Sequence, residues 1–172
     1  MLNTSAAIKH STVIPDGIES SGVVNLLQDH ASFFKCFPHM LKYELIDTPT
    51  GPESTIAKDR HVKAIAAAKQ YQVTDKVPGI PAWLWDTDLV STYELINIER
   101  GVFVRIRGPL NVVLETVWEV RETKDGGTAL VSDLVIHCSK LIMGVAKGIC
   151  EDGPKRIHVK LMKKLRGEDD ED

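Results

Sequence analysis

Cysteine is scarce in this chain, and what there is forms no pattern. Cys36, Cys138 and Cys150 are odd in number and far apart, with neither a CxxC pair nor ligand spacing to a histidine. They read as free thiols of a reducing compartment rather than a disulfide framework. The six histidines contain no HxH, HxxxH or HExxH, so a metal centre has no local nucleus and no cofactor is expected. Apolar runs never approach the roughly 20 residues that span a bilayer. The segment Met1 to Lys9 lacks a basic stretch followed by an apolar core, so no leader is expected. The expectation is a soluble, cytoplasmic protein. Also missing are a Gly-rich phosphate loop, a nucleophile elbow and any Ser/His/Asp order. Lys and Arg form no stripe over the body of the chain, which argues against nucleic acid, whose binding needs several phosphate contacts.

What remains is a chain of 172 residues, 43% hydrophobic, enough for one domain with a sizeable core. Much of its net charge of -3 comes from the five consecutive acids Glu168 to Asp172. The expected organisation is one domain over 1–166 and an acidic disordered tail over 167–172. The one basic cluster is Lys155, Arg156, Lys160, Lys163, Lys164 and Arg166, on an amphipathic segment.

The most legible region runs from Asp88 to Cys138. Leu89 to Ile98, Val102 to Arg107, Val112 to Arg121 and Thr128 to Cys138 alternate as strands, separated by short stretches rich in Gly, Pro, Asn and Asp. Such spacing predicts hairpins and an antiparallel meander. Keeping apolar residues on one face sets Tyr93 opposite Ile106, Leu95 opposite Val104, Val104 opposite Thr116 and Ile106 opposite Leu114. It also sets Thr116 opposite Ile136 and Trp118 opposite Leu134.

Before the meander, Ile8 to Ile14 is β-prone and ends at Pro15-Asp16-Gly17. Helical periodicity follows from about Gly17 to Asp29 with Asp16 as N-cap, then a helical turn from His30 to Phe37 stopped by Pro38. Strands are expected at Leu41 to Leu45 and from Tyr71 to Val77, on either side of an exposed loop at 47–52. The stretch 53–69 is open between helix and strand. After Cys138, the residues Leu141, Ile142, Val145, Ile149, Ile157, Leu161 and Leu165 keep helical phase. Gly153-Pro154 is either a kink or the first turn of a new helix.

Strand, two helices, a run of antiparallel strands and a long C-terminal helix is the element order of the helix-grip fold. The fold class is therefore α+β, a curved antiparallel sheet wrapped around a long C-terminal helix. More closely, Tyr71-Gln72-Val73-Thr74-Asp75, Trp85-Asp86, Gly101-Val102, Gly108-Pro109-Leu110, Trp118-Glu119-Val120 and Cys138 to Lys140 resemble an uncharacterised fungal family of the START-like (SRPBCC) superfamily. That superfamily includes pollen-allergen-like proteins, polyketide cyclases, steroidogenic lipid-transfer domains and coenzyme Q-binding proteins. The resemblance implies an apolar ligand held between sheet and helix, and transfers no catalytic residue.

On the face so defined, the residues expected to meet a hydrophobic small molecule are Tyr43, Tyr71, Trp83, Trp85, Tyr93, Leu95, Val104, Ile106, Leu114, Thr116, Trp118, Leu134, Ile136 and Cys138. Tyr93, Asp75 and Thr116 are the candidates for chemistry. Asp75 shares the register of Tyr71, so its carboxylate either points inward as a general acid or base or closes a strand end. Trp83, Leu84 and Trp85 form either a lid or a packed loop. Arg105, Glu115 and His137 fall on the opposite face, where a cross-strand ion-pair ladder on the solvent side is favoured over an acid–base constellation. His30, His39 and His61, near helix ends or loops, are surface or capping residues or edge a cavity mouth. The expected function is cavity binding of a terpenoid, polyketide or lipid, with cofactor-free cyclisation or isomerisation. A lipid carrier with peripheral membrane contact is the alternative. The oligomeric state is left open.

Overall fold

The structure is a computed structural model that describes residues 3–49 and 51–168. Its elements are β1 (Asn3–Val13), α1 (Ser20–Gln28), α2 (His30–Phe34), β2 (Met40–Leu45), β3 (Lys69–Asp75), β4 (Leu89–Ile98), β5 (Gly101–Arg107), β6 (Val113–Glu122), β7 (Thr128–Ser139) and α3 (Lys140–Leu165). The seven strands form one curved antiparallel sheet in the order β1-β7-β6-β5-β4-β3-β2, with α3 across its concave side. This is the helix-grip arrangement. Part of the expected acidic tail, 169–172, lies outside the described residues.

Alternation fixes which way each strand faces, and the first two hairpins of the meander take the expected register. Tyr93 pairs with Ile106, Leu95 with Val104, Val104 with Thr116 and Ile106 with Leu114. The third hairpin differs: Thr116 pairs with Leu134 and Trp118 with Ser132. Its turn explains why. Thr123 N–H donates to the Gly127 carbonyl, Gly126 N–H donates to the Thr123 carbonyl, and Gly126 takes the left-handed conformation with φ +84. This centres the turn on Asp125 and moves the register by two residues. A shift of two preserves the face of every side chain, so the apolar wall survives the change.

One helix-end expectation is corrected, and one choice between alternatives is decided. Glu19 rather than Asp16 is the N-cap of α1, and it makes no side-chain cap bond. Asp29 instead caps α2, accepting from Ser32 N at 3.3 Å and Ser32 Oγ at 2.8 Å. Pro154 starts no new helix; it lies within the continuous α3. Leu141, counted in the apolar phase, is 76% exposed.

The concave side divides into two halves. In one, Val23 and Leu27 of α1, Phe33 and Phe34 of α2 and Leu161 and Met162 of α3 pack on Leu95, Val104, Trp118 and Leu130 of the sheet. Phe33 meets Trp118 edge-on at 5.3 Å, so this half is filled with side chains. The other half lies under the first half of α3, a stretch that carries Gly144, Gly148 and Gly153 and ends at Pro154. Here the packing opens into a cavity.

The convex side is also covered. The stretch 53–68 is neither helix nor strand but an irregular cover, with a short 3-10 turn at Lys58–Arg60 and one bridge from Ala64 to Ile98. Its Ile56, Val62 and Ala68 pack on Ile96, Ile98, Phe103 and Val117. The expected ladder is present and extends further than expected: Arg105 pairs with Glu94 at 2.9 Å and with Glu115 at 3.0 Å, and His137 with Glu115 at 3.0 Å. It is not a solvent-side row, however. Arg105 also donates to the Thr55 carbonyl at 2.6 Å, and Arg105 and Glu94 are buried beneath the cover.

Candidate functional site

The cavity measures about 220 Å³ and its walls are overwhelmingly apolar. Asp75, Tyr93, Ile106 and Leu114 reach it from β3, β4, β5 and β6. Ile142, Val145, Ile149 and Cys150 form its roof from α3. The 77–85 loop closes one side through Val77, Ile80, Leu84 and Trp85. Phe37, Pro38 and His39 complete the rim. Pockets of this kind owe affinity to apolar burial and orientation to a few polar groups.

The main polar feature is a pair. Tyr93 Oη donates to Asp75 Oδ2 at 2.9 Å, and both residues are buried. Among the described residues no second hydrogen bond reaches the Asp75 carboxylate. Burial pushes the Asp75 carboxyl up to about 6, with the Tyr93 hydroxyl pulling the other way by stabilising the anion. Tyr93 is raised well above the usual phenol range by its burial and by the neighbouring carboxylate, so it stays protonated. Burial also takes the Cys150 thiol up to about 12, which leaves it un-ionised and a poor nucleophile. His39 is lowered by burial and by Arg156 and is a neutral base at the rim.

Of the residues singled out from the sequence, Asp75, Trp85, Tyr93, Ile106 and Leu114 come together on this cavity. Leu134, Ile136 and Cys138 lie beside it, packed with Ile142 and Cys150. Tyr71, Leu95, Val104 and Trp118 sit in the filled half, where α1 and α2 occupy the space a ligand was expected to take. Thr116 is buried on the same face of β6. Tyr43, on the edge strand β2, is 39% exposed and packs on Phe34 at 4.7 Å. Trp83 is 71% exposed and lines no part of the cavity.

His39 takes the cavity-edge alternative of the sequence analysis, whereas Ser91, Cys150 and Phe37 are wall residues it did not mark. Cys150 sits one position beyond Ile149 in the apolar phase of α3, and that signal was readable. Also missed was His158, 1% exposed, whose Nδ1 lies 2.8 Å from Thr12 Oγ1 and whose Nε2 lies 2.9 Å from Ser132 Oγ. His30 is likewise no surface cap: it is buried, 2.9 Å from Tyr71 Oη and 2.8 Å from Asn97 Oδ1. Among the described residues no three His, Cys, Asp or Glu side chains group to hold a metal ion, and no helix is long and apolar enough to cross a membrane.

A family model described as "Domain of unknown function (DUF7053)" matches residues 3–167. The chain belongs to this family. No curated protein matches the sequence. Solved structures similar to this DUF7053 chain include Ara h 8.0201, at 13% identity, with 95% of this chain and 99% of that chain covered and a TM-score of 0.58. The ZhuI aromatase/cyclase from Streptomyces sp. R1128 is 11% identical over 95% of this chain and 94% of that one, with a TM-score of 0.58. The di-domain ARO/CYC StfQ from the steffimycin biosynthetic pathway is 6% identical, with 95% of this chain but 50% of that chain covered and a TM-score of 0.61. At these identities the likeness is one of fold: the DUF7053 chain shares the helix-grip architecture of an allergen and of aromatase/cyclases.

Proposed function

We propose that this protein binds a compact hydrophobic small molecule beneath α3, and that Asp75 acts on it as the acid–base group of a cofactor-independent isomerisation or cyclisation. The observation that carries the reading is the Asp75–Tyr93 pair at 2.9 Å in an otherwise apolar cavity. With its carboxyl at about 6, Asp75 is an anion at neutral pH yet basic enough to take a proton from a bound substrate and return it elsewhere. Tyr93 fixes the carboxylate through Oδ2 and leaves Oδ1 for the substrate. The snug wall holds one reactive conformer, which by itself lowers the barrier. The fold shared with aromatase/cyclases and the resemblance to a fungal family support a reading in which the ligand is a terpenoid or polyketide of secondary metabolism.

Asp75→Asn keeps the shape and the hydrogen bond from Tyr93 but removes the base. Its expected effect is a loss of turnover of about 10²- to 10⁴-fold with ligand affinity changed only a few-fold. The substrate class comes first from native mass spectrometry and solvent extraction of the purified protein. Single-turnover assays then follow, and the wild-type rate is expected to rise with pH through about 6. An Asp75→Asn variant that turns over at the wild-type rate rules out this chemistry.

One observation favours non-enzymatic lipid carriage as the second reading. Lys155, Arg156, Lys160 and Lys163 surround Val159, which is 55% exposed, and the patch shares Pro38 with the cavity rim. A basic patch with an apolar centre suits an anionic membrane surface. Carriage predicts co-sedimentation with anionic vesicles that is lost at high salt, and an Asp75→Asn variant that still transfers lipid.

A further inference from the structure

We propose that Trp85 makes the cavity selective for neutral molecules carrying a hydrogen-bond acceptor, a ketone or hydroxyl oxygen on a compact apolar body. The inference rests on the cavity-binding reading above and adds the polar requirement of the ligand. Trp85 lies in the 77–85 loop, where the backbone N–H groups of Leu84 and Trp85 both donate to the Pro81 carbonyl, at 2.9 Å and 3.1 Å. That turn treats neighbouring indoles differently. Trp83 is 71% exposed, whereas Trp85 lines the cavity. Its Nε1 is buried and has no hydrogen-bond partner, alone among the buried side-chain nitrogens and oxygens of the described residues.

An indole N–H can only donate, and a buried donor without an acceptor is rare because its desolvation is uncompensated. Trp85 stands on the wall of an apolar cavity, and a ligand oxygen that reached Nε1 would satisfy it. Asp75 supplies the complement: one carboxylate oxygen accepts the hydrogen bond of the Tyr93 hydroxyl, and the other is left to accept from a ligand. A ketone satisfies Trp85 alone; an alcohol satisfies Trp85 as acceptor and Asp75 as donor. A hydrocarbon leaves both unmet, and an anionic ligand is repelled by Asp75 at neutral pH. The cavity therefore discriminates by one oxygen atom, as sites with a buried polar group do.

The test uses three probes of one carbon skeleton: bornane, camphor and borneol. Affinities are measured by calorimetry, and the three tryptophan indole signals, assigned by triple-resonance spectra, are followed by 15N–1H correlation on the full chain. Expected is binding of camphor and borneol about tenfold or more tighter than bornane, with a downfield shift of the Trp85 Nε1–H signal for the two oxygenated probes only. Trp85→Phe is expected to reduce camphor to the level of bornane while leaving bornane within about twofold. Equal affinity for the three probes in the wild type overturns the inference and leaves the cavity reading standing. So does an unmoved Trp85 signal, which decides the matter even where Trp85→Phe does not fold. Failure of all three probes to bind overturns both.

Discussion

Replacing His158 with glutamine is expected to make the protein more resistant to acid than the wild type, even though the side chain lost is buried and doubly hydrogen-bonded. Burial holds the His158 imidazole at about 3, and the charge that the neighbouring His10 takes on protonation, its ring centroid 4.4 Å away, works in the same direction. The unfolded chain, with a histidine near 6.5, binds a proton that the folded chain refuses. Stability is therefore complete above about 6.5 and is lost as the pH falls toward 3. Between about pH 7.5 and about pH 4.5 the loss is on the order of 3 kcal/mol. Asp75 runs the other way. Its folded value of about 6 lies above the ordinary 3.8, so the folded chain holds the proton more tightly, and stability is present at low pH and lost as pH rises through that window. Over the same interval that is about 2 kcal/mol of opposite sign, so a wild-type curve alone hides both.

Urea unfolding of single variants separates the two. The stability of His158→Gln minus that of wild type should climb by about 3 kcal/mol toward acid, and that of Asp75→Asn should climb by about 2 kcal/mol toward neutral pH. The second result would mean that the proposed base is held at a cost in stability, as functional acids commonly are. A pH-independent difference for His158→Gln would show that its proton is not excluded from the fold.

Gly101→Ala is expected to be the most damaging small substitution in the chain. A Cβ there would stand 1.9 Å from the Trp118 carbonyl oxygen and 2.9 Å from Glu119 Cα. Both are backbone atoms of β6, so no rotamer change can relieve the clash, and β5 must move away from its partner. The expected loss is at least about 3 kcal/mol, read as a collapse of the urea midpoint or of soluble yield. Gly144→Ala is the matched control. Its Cβ meets nothing within 4 Å on the exposed side of α3, and the usual gain of about 1 kcal/mol from replacing a helical glycine is expected. Equal behaviour of the two variants would contradict the close approach of β5 and β6.

How far the chain could be read without its structure follows from the range of the forces involved. Alternation along Leu89 to Ile98 or Thr128 to Ser139 is local, and so is the turn chemistry between strands, which is why the meander and its inner face were legible. Even the misplaced third hairpin kept its faces, because side-chain direction depends only on whether the shift is even. Asp75 could be picked out because it shares the register of Tyr71. The division of the concave side could not, since whether Leu95 and Trp118 meet a ligand or Phe33 depends on how α1 and α2 settle after the sheet has formed. His30 and His158 were missed for a related reason. Their partners are Tyr71, Asn97, Thr12 and Ser132, and nothing in a one-dimensional pattern marks a polar residue whose bonds close across the whole chain. The stretch 53–68 resisted reading because it has no periodic structure to signal; its few apolar residues find the outer sheet face by tertiary contact alone.

The uneven make-up of α3 has a kinetic consequence. Three glycines and a proline fall in or at the end of the half that spans the cavity, whereas Ile157, Leu161 and Met162 anchor the other half in the core. Relative to alanine those four residues weaken the helix by about 6 kcal/mol, so the roof unfastens more readily than the anchored end. Amide protons of 141–153 should exchange with solvent well before those of 157–165, and a molecule can come and go through that transient gap while the sheet stays closed.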